Sequence, residues 1–177
     1  RVLAPRAPGG FGQALATVDG LTTYARDTRR IVSSVRGIVA DTELAALLGV
    51  PPGSRWLRIR NTRVDPARAD RPICATDTFV AERLSEVRRH LGEETAAVCD
   101  LLERRCGVHT ESIEQELQGA VVPAALAPVL GVEAGAPALR ILRRYRDAGG
   151  WLFEASVSLH PADRFAYRMR LTRGAAH

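Results

Sequence analysis

The sequence predicts an α+β protein built on an antiparallel sheet whose two halves are pseudo-symmetric. Three observations carry that expectation. The stretch LGVPPGSRWLRI, Leu48–Ile59, returns as LGVEAGAPALRI, Leu130–Ile141, with seven of the twelve positions identical. Segments with period-two alternation succeed one another through short turns, as in hairpins, and helix-like segments are inserted between them. The unit occurs twice, whereas solenoids stack three or more copies, so two related halves packed into one sheet explain it better.

Taken in order, residues 1–20 hold Pro5, Pro8, Gly9, Gly10, Gly12 and Gly20. That is linker composition, with one short strand expected near Gly12–Val18. Leu21–Thr28 is expected as a short helix, and the β-branched Arg30–Val39 as a strand. Asp41 reads as the N-cap of a helix over Thr42–Leu48 that Gly49 stops. After the Pro51-Pro52-Gly53 turn, Trp56–Val64 alternates as a strand, and Asp65–Arg71 is a polar loop. Ile73–Val80 is the next strand. Ala81–Leu91 and Ala96–Cys106 read as helices, the second ended by Gly107. Val108–Val121 reads as a long strand, and Pro123 opens a helix that ends at Gly131. Leu139–Arg146 and Trp151–Leu159 are strands joined by the tight turn Asp147–Gly150. The last strand is Arg164–Arg173. There Phe165, Tyr167, Met169 and Leu171 alternate with Arg168, Arg170 and Thr172, the pattern of a half-buried antiparallel strand.

The repeat has a local meaning. In each copy a helix ends at Leu-Gly-Val, a turn is made at the second glycine, and a strand begins at Leu-Arg-Ile. The next strands match as well: Ala75-Thr76-Asp77-Thr78 against Ala155-Ser156-Val157-Ser158. Alternation puts Cys74, Thr76, Thr78 and Val80 on one face of the first copy, and Glu154, Ser156, Ser158 and His160 on one face of the second. The opposite faces carry Ile73, Ala75 and Phe79, and Phe153, Ala155, Val157 and Leu159, all expected in the core. The face rich in hydroxyls, with a glutamate and a histidine, has two readings: the solvent side of an antiparallel sheet, or the polar lining of a small-molecule pocket.

At 177 residues the chain fits one domain. No apolar run approaches the ~18 residues that span a bilayer. The net charge of +5 is carried by arginine alone, without lysine, and the arginines are dispersed rather than gathered into a basic block. Cys74, Cys99 and Cys106 are odd in number and irregularly spaced, which reads as reduced thiols in a cytosolic protein. His160-Pro-Ala-Asp163-Arg164 lacks a positioned nucleophile, and Asp163-Arg164 is expected to close a turn. Cys99, Cys106 and His109 lack zinc-ligand spacing, and glycine-rich phosphate loops are absent. Glu111, Glu114 and Glu116 read as a charged strand face.

Taken together, LGVxxGxxxLRI, PICATDTFV, DLLERRCGV, LGVxxGxPALRI and FEASVSLHPADRFAYRMRL, in that order, resemble the UTRA effector-sensing domain. That domain forms the C-terminal half of bacterial GntR-type transcription regulators of the HutC subfamily. The resemblance covers about Leu21 to Arg173. It implies a chorismate-lyase-like fold, an antiparallel sheet of about six strands with surrounding helices. It also implies an organisation: residues 1–20 as a linker after a missing N-terminal winged-helix DNA-binding domain, 21–173 as the effector-binding domain, and 174–177 as a tail. Arg1-Val2-Leu3 resembles the last strand of the wing.

The resemblance further implies a cytoplasmic homodimer that is not an enzyme and has no cofactor, metal or membrane partner. It would bind a small-molecule metabolite and thereby alter operator DNA binding through the missing domain. The family's strand glutamate matches Glu154, and its aromatic six residues on is His160. Its glutamate after the first repeat's loop falls on Thr76. Of its Arg-x-Arg pair, the second matches Arg63 and the first falls on Asn61. A helix-start serine that contacts phosphate aligns with Ala97, and an aromatic near the domain's start matches Tyr24. The expected effector-binding set is therefore Glu154, Arg63, His160, Thr76, Ser156, Thr78, Tyr24 and Asn61. With an arginine and a serine replaced, a sugar phosphate fits less well than a smaller or less charged effector: a carboxylate paired with Arg63, or an amine or heterocycle paired with Glu154. Two other functions stay open: a chorismate-lyase-like enzyme acting on a small aromatic or carboxylic acid through Arg63 and Glu154, and direct nucleic-acid binding by the basic surface.

Overall fold

A computed structural model describes residues 11–14, 27–93 and 95–168. Its centre is a six-stranded antiparallel sheet in the order β2-β3-β4-β7-β6-β5. The strands are β2 (Arg29–Val39), β3 (Arg55–Val64), β4 (Cys74–Ala81), β5 (Ser112–Val121), β6 (Pro137–Arg146) and β7 (Leu152–Pro161). Helix α1 (Thr42–Leu48) lies between β2 and β3. A 3-10 segment (Glu82–His90) and helix α2 (Val98–Cys106) lie between β4 and β5, and the short α3 (Ala127–Leu130) between β5 and β6. A separate two-stranded sheet joins β1 (Phe11–Ala14) to β8 (Phe165–Arg168).

The two copies of the repeat build the two halves of the sheet. Gly49 and Gly131 are the left-handed C-caps of α1 and α3, with φ of 73° and 60°. Gly53 and Gly135 turn the chain into β3 and β6 with φ of 85° and 82°. Only glycine adopts such angles without steric cost. The backbone bonds correspond too: Ala40 N–H donates to Ser54 O and Gly53 N–H to Ala40 O, while Val122 N–H donates to Ala136 O and Gly135 N–H to Val122 O. The halves meet at β4 and β7, where Asp77 pairs with Val157, Thr76 with Ser158 and Thr78 with Ser156. A pseudo-twofold axis through the Asp77–Val157 pair relates the copies.

Both faces of the sheet are covered. On one face Leu57, Ile59 and Val80 pack against Val87 and Leu91 of the 3-10 layer and against Val98, Leu101 and Leu102 of α2. On the other, α1 sets Ala45 and Leu48 against Trp56, Phe79 and Ala155. At the far end of that face α3 sets Ala127 and Leu130 against Ala75, Ala138 and Leu159. The Asp41 carboxylate caps α1 by accepting from Leu44 N–H at 2.8 Å, as its position predicts.

Several expectations change. The face carrying Glu154 is not solvated: Glu154, Ser156, Ser158 and His160 are all buried beneath the helical layer. Residues 82–90 form a 3-10 rather than an α-helix, and β5 begins only at Ser112. The helix opened at Pro123 is α-helical only over its last four residues. The partner of β8 is β1, in parallel; alternation along a strand does not distinguish the two directions. Ile73 precedes β4 and packs with Ile141 and Phe165. Phe153 packs on the α2 side with Tyr145, beside a register irregularity between Tyr145 and Arg146 that breaks the alternation. The expected helix at Leu21–Thr28 lies outside the described residues except for its last two, as does the strand beyond Arg168. Among the described residues, no helix is long and apolar enough to cross a membrane.

Gly49→Ala and Gly131→Ala, at equivalent positions of the two halves with open space where a Cβ would sit, should each cost about 1 kcal/mol. Urea unfolding of each variant against the parent measures this directly.

Candidate functional site

Between the sheet and the helical layer lies a cavity of about 70 Å³. Strand β3 contributes Asn61 and Arg63, β4 contributes Cys74, Thr76 and Thr78, and β7 contributes Glu154, Ser156, Ser158 and His160. Because side chains alternate along strands, positions two apart share the cavity face. The outer strands add Arg30 from β2 and Arg143 and Tyr145 from β6, and Ala97 and Val98 at the start of α2 form part of the roof.

The floor is tied together by short polar contacts. Thr76 Oγ1 and Ser158 Oγ are 2.9 Å apart across the pseudo-twofold, and Cys74 Sγ lies 3.6 Å from Thr76 Oγ1. Ser156 hydrogen-bonds the Tyr145 side chain. The Asn61 amide donates to Thr76 O at 3.4 Å.

Two arginines hold the roof. Arg30, 1% exposed, donates from one terminal nitrogen to Ala96 O at 2.6 Å and from the other to Leu91 O and Glu93 O at 3.1 Å. Arg63 donates to Ala96 O at 3.2 Å and to Thr28 Oγ1 at 2.9 Å. The carbonyls they engage belong to the turn between the 3-10 segment and α2. At the start of α2 the Ala97 N–H is taken by the Asp100 carboxylate at 3.4 Å.

The third arginine is engaged differently. Arg143 Nε donates to Gln115 Oε1 at 2.7 Å, and its two terminal amino groups have no hydrogen-bond partner among the described residues. On the neighbouring strand β7, Glu154 Oε2 and both ring nitrogens of His160 are buried and unpartnered. Unpaired buried polar atoms cost free energy unless something satisfies them. The His160 ring lies against Phe165 with centroids 4.0 Å apart.

Burial sets the charge states. Desolvation pushes the Glu154 carboxyl up to about 8, with Arg30 and Arg143 opposing and Asp100 adding to the rise. Desolvation and then the charge of Arg143 pull His160 down to about 3, so the imidazole is neutral at physiological pH. Burial also drives the Tyr145 phenol and the Cys99 thiol upward.

Seven of the eight residues expected from sequence line this one cavity: Glu154, Arg63, His160, Thr76, Ser156, Thr78 and Asn61. Tyr24 lies outside the described residues. Arg30, Arg143, Tyr145, Cys74 and Ser158 line it too and were not in the expected set. Arg143 comes to lie opposite Ser156 through the pairing of β6 with β7, past a register irregularity between Tyr145 and Arg146 that counting back from the turn does not reveal. Arg30 reaches the cavity only through the pairing of β2 with β3, which places it opposite Arg63. Asp163 and Arg164 form the expected local ion pair, 2.9 Å from Nε to Oδ1. The same guanidinium donates to Pro72 O and Leu130 O, so it staples the chain after β7 to both halves.

Comparison with known proteins bears on this arrangement. The family model described as the UTRA domain matches residues 23–166. The chain is 28% identical over 160 residues to the HTH-type transcriptional repressor NagR of Bacillus subtilis (strain 168), a match covering 85% of this chain and 63% of NagR. The chain thus spans less than two thirds of that relative's length. Its fold matches the effector domain of PhnF from Mycobacterium smegmatis with a TM-score of 0.76 and 20% identity, over 92% of this chain and 100% of that one. It also matches a chain from Bordetella bronchiseptica, described as the ligand-binding domain of a GntR-family regulator. There the TM-score is 0.71 and identity 23%, over 82% of this chain and 91% of that one. The six-stranded α+β fold is the one these GntR-family regulator domains share.

Two outcomes are expected. Arg30→Met, which removes three hydrogen bonds from a buried guanidinium and leaves Leu91 O without its donor, should lower stability by roughly 3 kcal/mol and speed amide hydrogen exchange in residues 91–97. The second concerns pH. The folded value of Glu154 lies above its ordinary 4.5, so its stabilising contribution is complete below pH 4.5 and lost as pH rises through 8. His160 runs the other way from 3 to 6.5, and the two offset between 4.5 and 6.5. The melting temperature should therefore fall between pH 6.5 and 8, and Glu154→Gln should flatten that fall.

Proposed function

Because the chain belongs to the UTRA domain family, we propose that the cavity between sheet and helical layer is the effector site of a HutC-type GntR transcription regulator. One observation carries the reading. A polar cavity holds three arginines, a glutamate and a histidine, and its unpartnered Glu154 and His160 atoms call for hydrogen-bond partners. A small metabolite supplies them. The site set is Glu154, Arg63, His160, Thr76, Ser156, Thr78 and Asn61, joined by Arg30, Arg143 and Tyr145, with Tyr24 completing it from the segment before β2.

In this reading, residues 1–20 link the effector domain to an N-terminal winged-helix domain that contacts operator DNA, residues 174–177 are a tail, and the regulator works in the cytoplasm as a homodimer. Exposed apolar side chains on the two edge strands, Ile31, Val35 and Val39 on β2 and Leu117 and Val121 on β5, favour contact with a second copy. The domain senses its ligand and does not transform it. Ligand binding shifts operator affinity only if it favours one dimer geometry over another.

A thermal-shift screen of metabolites tests this reading. A true effector at about 100 times its dissociation constant stabilises the protein by about 2.7 kcal/mol, and Glu154→Ala should abolish the shift. Shifts that survive both Glu154→Ala and Arg63→Ala would remove the cavity as the site. Turnover of chorismate by the purified chain would replace the sensor by a lyase-like enzyme. Sedimentation equilibrium should return twice the chain mass.

A further inference from the structure

We infer that Arg143 is the anion anchor of this cavity, and that the occupant is a compact carboxylic acid carrying a hydroxyl or amine for Glu154. This rests on the reading of the cavity as an effector site and adds the chemistry of its occupant. Three arginines line the space, but two have committed their forks. Arg30 spends its terminal nitrogens on Leu91 O, Glu93 O and Ala96 O, and Arg63 spends its own on Thr28 Oγ1 and Ala96 O. Arg143 is held by its Nε, to Gln115, which leaves both terminal amino groups of a buried guanidinium for a ligand.

One such fork matches an anion with two coplanar oxygens. A phosphate needs donors around three oxygens, and the other two guanidinium forks are engaged, Arg30 by carbonyls and Arg63 by Ala96 O and the Thr28 hydroxyl, while the Ala97 N–H at the start of α2 is taken by Asp100. Size agrees. The cavity of about 70 Å³ is about half the ~150 Å³ that admits benzene, so the occupant has few heavy atoms. Glu154 sets the rest of the ligand. Two residues along β7 from the Ser156 that faces Arg143, Glu154 Oε2 calls for a donor or, when protonated, offers one. A carboxylate on Arg143 with a hydroxyl or amine one or two atoms away satisfies Glu154 as well.

Glycolate is the probe, with ethylene glycol as its neutral counterpart and inorganic phosphate as the competing anion. The 15N-labelled chain is titrated with each, following the Arg143 Nε–H and Gln115 side-chain resonances. Glycolate should saturate both with a dissociation constant on the order of 1 mM, and ethylene glycol should leave them unmoved. Arg143→Gln should weaken glycolate on the order of 100-fold, and Arg143→Lys should restore part of the loss. The backbone spectrum of each variant confirms that it is folded. Glycolate failing to saturate the wild type, ethylene glycol binding as well, phosphate binding more tightly, or glycolate binding Arg143→Gln unchanged would each overturn the inference. If Glu154→Gln weakens glycolate while Arg143→Gln does not, the anchor falls and the cavity stands. If neither variant changes glycolate binding, the effector-site reading falls with it.

Discussion

The cavity exists because two arginines of the sheet hold the carbonyls of one turn. Arg30 and Arg63 sit side by side on β2 and β3 and converge on the chain between Leu91 and Ala96. That turn joins the 3-10 segment to α2, so the bonds fix the height of the whole helical layer above the sheet. Apolar packing of Leu57, Ile59 and Val80 against Val87, Leu101 and Leu102 holds one end of the layer down. At the arginine end charge-assisted hydrogen bonds take over and keep a gap open.

Buried arginines are tolerated only when their donors are used. Arg30 and Arg63 meet that condition largely with backbone carbonyls. The carboxylate of the cavity, Glu154, lies where desolvation outweighs the pull of Arg30 and Arg143 and raises its pKa. The result is a site that sets the open fork of Arg143 beside a proton-bearing carboxyl with few committed contacts. Such a site is selective about what fills it, and a ligand that satisfies both groups has free energy to spend on conformational work. The turn that Arg30 and Arg63 hold is also the roof above any ligand, so a change at the cavity reaches α2 directly.

The pseudo-symmetry explains where the site falls. The axis through Asp77 and Val157 brings the two repeats together at β4 and β7. The two β-strands that face each other there carry Thr76 and Thr78 in one copy and Ser156 and Ser158 in the other. Shared hydroxyls line the floor, and the residues that differ between copies, Glu154 and His160, give it a direction. The parts of the repeat that stayed alike serve backbone geometry: the four glycines at positive φ and the bonds that close each helix-to-strand turn.

Much of this was readable in the amino-acid order. Glycine at a helix end, an aspartate N-cap, a two-copy motif and period-two alternation are local signals, and they foretold α1, the hairpins, the paired halves and the strand face of Glu154, Ser156, Ser158 and His160. Thr76, Thr78, Asn61 and Arg63 came from the same alternation and the family resemblance. Other features depend on what lies across from a strand, which local sequence does not encode. Alternation shows that residues share a face, not whether a helical layer or water covers it, so the burial of Glu154 came only with α2 and the 3-10 segment. Nor does it show the direction of a partner strand, as β8 with β1 demonstrates. The roles of the arginines were the least legible. Arg30, Arg63 and Arg143 are alike as letters, and only the tertiary positions of Ala96 O, Thr28 and Gln115 decide which two hold the roof and which keeps its fork open.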